Sequence, residues 1–68
     1  AGETRDRVRA VLAMLPLRDR QLLLLRHEGY SYRELGHILG IQETSVGTLL
    51  LRATRAFQSA FMAAGSRE

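Results

Sequence analysis

At 68 residues the chain is long enough for one domain with one small core, and its lack of cysteine excludes disulfide staples and thiolate metal sites. A formal net charge of +3 at pH 7, carried by ten basic residues that are all arginine, permits a polyanionic partner such as nucleic acid without requiring one. No run of about 18 apolar residues marks a membrane span and no signal sequence opens the chain, so a cytoplasmic protein with no membrane partner is expected. The first residue is not methionine, and residue 1 is expected to be an internal point of a longer protein.

Residues 4–15, TRDRVRAVLAML, place Val8, Val11, Leu12 and Leu15 at helical spacing, with Arg5, Asp6 and Arg9 on other faces. That spacing predicts a first amphipathic helix. Pro16 ends it, because the residue before a proline avoids helical geometry and proline suits the first turn of the next helix. A second helix is expected over residues 17–28. Its run Leu22, Leu23, Leu24, Leu25 is apolar around much of the circumference, which makes it the expected central, most buried helix, and Gly29 is its stop.

Ser31-Tyr32-Arg33-Glu34 matches the S-x-x-E capping box, in which the serine hydroxyl satisfies the third helical amide and the glutamate reaches back to the serine amide. A third helix therefore starts at Tyr32, runs to Leu39 and stops at Gly40, a residue free to adopt the left-handed conformation of a tight turn. The fourth helix starts near Glu43. Val46, Leu50, Ala53, Phe57, Ala60 and Phe61 recur at spacings of three and four, with no glycine or proline between 48 and 64. The tail Gly65-Ser66-Arg67-Glu68 is expected to fray. No β-alternation or repeat interrupts the pattern, so the class is all-α: a small four-helix bundle without strands, a single domain over residues 1–68.

The short connection between helices three and four has the geometry of a helix-turn-helix, here over residues 32–53. Such a pair wants a small residue where the helices touch (Gly36), a glycine in the turn (Gly40) and an apolar residue that pins the second helix on the first (Val46). Leu35, Leu39 and Ile41 complete the shared core. In a plain four-helix bundle, the alternative, Gly36 would be a poor helix interior costing about 1 kcal/mol relative to alanine.

Residues 15–57, LPLRDRQLLLLRHEGYSYRELGHILGIQETSVGTLLLRATRAF, resemble region 4, the C-terminal promoter-binding domain of bacterial RNA polymerase sigma factors, most of all the extracytoplasmic-function group. The resemblance rests on Leu15-Pro16, on Tyr30-Ser31-Tyr32-x-Glu34-Leu35, on the Leu39-Gly40-Ile41 turn, and on Val46 followed by Arg52-Ala53. It implies a helix-turn-helix in the major groove of the minus-35 promoter element, contact with the flap of the polymerase β subunit and, as for many members, inhibition by an anti-sigma factor. Many relatives carry Lys or Arg at the positions of Gly47 and Leu49, and an aromatic residue or His at that of Leu51. This chain therefore lacks two contacts the resemblance would supply, while Arg33, Arg52 and Arg55 remain.

The candidate DNA-contacting residues are Arg33, Glu43, Thr44, Ser45, Gly47, Thr48, Leu51, Arg52 and Arg55. Thr44, Ser45 and Thr48 lie in the first turns of the fourth helix, where hydroxyls bond base edges or phosphates or else cap the helix. Arg52 and Arg55 lie beyond the base-reading turns and suit phosphate, and Arg33 sits beside a capped, anion-attracting helix start. With three phosphate contacts the expected log-log salt slope is about −3. Leu49 and Leu50 are expected to be structural. Leu51 is expected to be exposed and to meet a thymine methyl or a protein surface, with Gly47 letting the backbone approach the groove.

His27 and His37 have no cysteine or carboxylate at metal-site spacing, and no nucleophile elbow, paired-carboxylate pocket or phosphate loop is present, so no cofactor, metal or enzymatic activity is expected. Two rival readings stay open: the DNA-binding domain of a LuxR-type regulator, and a protein-interaction module that docks polymerase or an anti-sigma factor.

Overall fold

The computed structural model describes residues 2–65. It contains α1 (Gly2–Met14), α2 (Leu17–His27), α3 (Tyr32–Leu39) and α4 (Glu43–Gly65), and no strand among the described residues. No helix is long and apolar enough to cross a membrane. Of the tail expected to fray, Gly65 instead closes α4, while Ser66 to Glu68 lie outside the described residues.

Helix α1 begins two residues earlier than the apolar spacing predicts, at Gly2, and ends at Met14, one residue before Leu15. Leu15 sits in the bend ahead of Pro16 and is still buried. Pro16, at φ −54° and ψ 150°, turns the chain directly into α2. That helix stops at His27, where the Glu28 amide donates to the carbonyls of Leu24 and Leu25 and Gly29 takes a φ of +101°.

The expectation that α2 is the most buried helix is overturned. Of its leucine run only Leu22 is fully buried, Leu23 and Leu25 are half-buried, and Leu24 is 43% exposed. Helix α4 holds the centre instead and packs against each of the other three. The reason is geometric: a helix apolar around its circumference needs partners on every side, and a chain this short has too few. A helix of 23 residues, about 35 Å long at 1.5 Å per residue, can serve three partners along a molecule measuring 40 × 20 × 14 Å.

Both halves of the capping box form. The Ser31 hydroxyl accepts from the Glu34 amide at 3.1 Å, and the Ser31 amide donates to Glu34 Oε1 at 2.8 Å. Helix α3 then runs over the expected residues and closes at Gly40, whose φ of +69° is the left-handed value the turn needs. Gly36 is fully buried where the turn crosses α3. A Cβ built there would lie 2.6 Å from the Ile41 carbonyl oxygen, and the Ile41 amide donates to the Gly36 carbonyl at 2.8 Å. Only glycine permits that approach.

Leu22, Leu35, Val46 and Leu50 form the buried centre of the helix-turn-helix, with Leu25, Tyr30, Leu39, Ile41 and Leu49 packed around it. Val11, Leu15 and Ala53 are buried outside this cluster. Helix α1 lies along α4, where Phe57 and Phe61 stack at 5.6 Å and the Arg7 guanidinium covers Phe61 at 5.5 Å.

Candidate nucleic-acid interface

At 100° per residue, Val46, Leu50 and Ala53 share one stripe of α4, and all three are buried. Thr44, Thr48, Leu51 and Arg55 fall within a sector of about 60° on the opposite side of the helix. All four are exposed, as is Arg52 beside them. The neighbouring leucines divide as their register requires. Leu50 is 8% exposed, Leu49 packs against the core cluster, and Leu51 is 50% exposed.

Of the remaining candidates, Glu43 is exposed at the first residue of α4, and Arg33 is exposed in the first turn of α3. Ser45 and Gly47 are half-buried. Gly47 turns toward α3: a Cβ added there would meet only the Tyr32 ring, at 3.4 Å. The structure thus gathers Thr44, Thr48, Leu51, Arg52 and Arg55 on one face, and sets Gly47 on its shoulder beneath an aromatic ring.

Two residues outside the sequence-derived set adjoin this face. The Arg26 guanidinium, in the last turn of α2, donates to the Tyr30 carbonyl at 2.8 Å and lies 5.3 Å over the Tyr32 ring. One of its five donors is therefore committed to the backbone, and the group is held in place by the ring below. Arg26, His27, Tyr32, Gly47, Leu51 and Thr54 border a groove of about 590 Å³ beside the exposed face of α4. Nothing in the spacing of Arg26 shows that the chain folds its guanidinium back over Tyr32. The only sequence signal was the capping box, which places Tyr32 at the first position of α3 without saying what its ring meets.

Electrostatically the face is cationic at its edges and neutral at its centre. Arg26, Arg52 and Arg55 are exposed around the Thr44, Thr48 and Leu51 surface, Arg33 is exposed on α3, and Glu43 is the acidic residue at the start of α4. Glu34 is committed to the cap: the Ser31 amide first, and the Ser31 hydroxyl second, hold its carboxyl below the ordinary carboxylate value. Positive forks around a surface of hydroxyls and methyl groups suit a duplex, which offers phosphates along its edges and base edges between them.

A short-turn helix pair sealed by a glycine contact, with its second helix presenting such a face, defines a helix-turn-helix DNA-binding domain. Residues 5–57 match the family described as Sigma-70, region 4, and the chain belongs to that family. This is a family of DNA-binding domains acting in transcription and not an enzyme family, and the match favours a sigma-type domain over the LuxR-type alternative. The chain is similar to the positive control factor of Bacillus subtilis (strain 168), with 37% identity over 57 residues, covering 82% of this chain and 34% of that protein. It therefore spans about a third of the length of that relative. No solved structure matches the chain.

Proposed function

We propose that this domain reads the minus-35 element of a promoter as the C-terminal domain of an RNA polymerase sigma factor and directs transcription initiation while attached to polymerase. The observation that carries the reading is the exposed Thr44, Thr48, Leu51 and Arg55 face, set opposite the buried stripe of the second helix of a helix-turn-helix. In the major groove, Thr44 and Thr48 bond base edges and Leu51 packs against a thymine methyl. Arg33, Arg52 and Arg55 bind phosphates and hold the helix in register. Arg26 adds a phosphate contact from α2. Ser45 and Glu43 lie at the edge of this surface. The relative's name, positive control factor, agrees with a domain that promotes transcription.

A specific observation also favours a protein-docking role. Val8 and Leu12 of α1, Leu23 and Leu24 of α2, and Phe57 of α4 line an apolar groove of about 260 Å³ with His27 at its edge. Phe57 lies about 180° around α4 from Thr48, while Leu23 and His27 border both this groove and the one beside the exposed face of α4. It suits an apolar segment of the polymerase core, the β-subunit flap, or of an anti-sigma factor.

One such module buries only about 600–1,000 Å², so binding by the isolated domain is expected to be weak and steeply salt-dependent. Four arginine-phosphate contacts give a log-log slope of about −3.6. The test is selection of duplexes from a randomised pool, followed by fluorescence anisotropy of the selected and scrambled duplexes across a salt series. A selected sequence with a slope near that value supports the reading. Equal affinity for both duplexes, or no binding at low salt, refutes it.

A further inference from the structure

Gly47 stands in the second turn of α4 with no left-handed backbone to explain it, where alanine would make the better helix. What occupies the space beside it is the Tyr32 ring, 3.4 Å from where a Cβ would sit. The chain leading into Tyr32 is held at two points: the capping box fixes the start of α3, and Arg26 holds the carbonyl of Tyr30, two residues earlier. The ring carries the Arg26 guanidinium over it and has its Cε2 edge against α4 at Gly47. Among the described residues no group bonds its hydroxyl, and the side chain is 43% exposed.

We propose that Tyr32 is a positioning residue for DNA reading, and that residue 47 is kept small because the Tyr32 ring occupies the space a longer side chain there would take. The seated ring fixes where the Arg26 guanidinium stands relative to Leu51 and Arg55, so α2 contributes a cation to the edge of a face otherwise built by α4. An alanine at 47 still fits, because its Cβ would make an ordinary contact with the ring. A leucine reaches further and displaces the ring. This inference rests on the DNA-reading function proposed above.

The test is a double-mutant cycle between Gly47→Leu and Tyr32→Ala, with Tyr32→Phe and Gly47→Ala as conservative partners. Melting midpoints and promoter-duplex affinities are measured for each variant. Tyr32→Ala is expected to weaken binding about two- to fivefold, the range of a surface cation-π contact, and to make the salt slope shallower by about 0.9 as Arg26 loses its place. Tyr32→Phe keeps the ring and restores both values. Gly47→Leu should lower affinity and melting midpoint in the Tyr32 background, whereas in the Tyr32→Ala background it should leave affinity unchanged and no longer lower the midpoint, which rises with the better helix propensity of leucine. Failure of Gly47→Leu to fold with Tyr32 present but not with Tyr32→Ala also supports the shared space. Independent effects, failure to fold in both backgrounds, or a Tyr32→Phe variant that behaves like Tyr32→Ala would overturn the proposal. Should the unaltered domain show no duplex preference, the function fails, while the melting arm still decides whether Tyr32 and residue 47 share one space.

Discussion

Replacing Gly36 with alanine sets two effects of opposite sign against each other. Alanine is favoured over glycine in a helix interior by about 1 kcal/mol. The added Cβ, however, would stand 2.6 Å from the Ile41 carbonyl oxygen and 3.4 Å from the Glu43 amide nitrogen, both backbone atoms of the turn and of the start of α4. An ordinary carbon-oxygen approach is about 3.3 Å or more, so the turn must retreat by roughly 0.7 Å from a helix to which it is hydrogen-bonded. Overpacking of this kind costs about 1–3 kcal/mol, and weakening the Ile41 amide bond to the Gly36 carbonyl adds about 0.5–1.5 kcal/mol. After subtracting the helix gain, the expected loss is near 2 kcal/mol, which lowers the melting midpoint by roughly 8–16 °C in a domain of this size. Thermal unfolding followed by far-ultraviolet circular dichroism measures it, with Gly47→Ala as the internal control. The same substitution at residue 47 meets only a side-chain ring at 3.4 Å and should raise stability by up to about 1 kcal/mol. A Gly36→Ala midpoint equal to or above that of the unaltered protein would refute the steric reasoning and show that the turn gives way freely.

Leu50→Ala should cost about 2–5 kcal/mol in chemical denaturation, while Leu51→Ala, half-exposed, should stay within roughly 0.5 kcal/mol and weaken promoter binding. Equal destabilisation by the two would show that the face assigned to DNA is misregistered. Ser31→Ala should lower stability by about 1 kcal/mol through loss of the α3 cap, measured by urea titration. Because the folded-state pKa of Glu34 lies below its ordinary value of 4.5, its ionised form stabilises the fold above that value and the stabilisation disappears as pH falls through the folded pKa. The difference in melting midpoint between the unaltered protein and Glu34→Gln should accordingly shrink on acidification from neutral pH, and a pH-independent difference would show that the carboxylate is not the capping form.

The parts of this protein legible from its sequence are those governed by energies acting within a few residues. Ser31 and Glu34 announce a helix start because their partners are each other's backbone amides, and Gly40 announces a stop because the left-handed turn is a property of one residue. The burial of Val46, Leu50 and Ala53, and the exposure of Leu51, follow from 100° per residue once one stripe is assigned to the core. Gly36 also belongs here, since a helix-turn-helix needs closeness at that point, although the carbonyl it admits is visible only in space. Tertiary structure decided what depended on neighbours far along the chain. The leucine run of α2 gave no sign that α4 would take the central place, because periodicity reports how much apolar surface a helix has and not how many partners it will find. The role of Gly47 and the stacking of Arg26 on Tyr32 were hidden for the same reason. A missing side chain acquires meaning only from the group that fills its space, and that group arrives from another helix through packing no local pattern encodes.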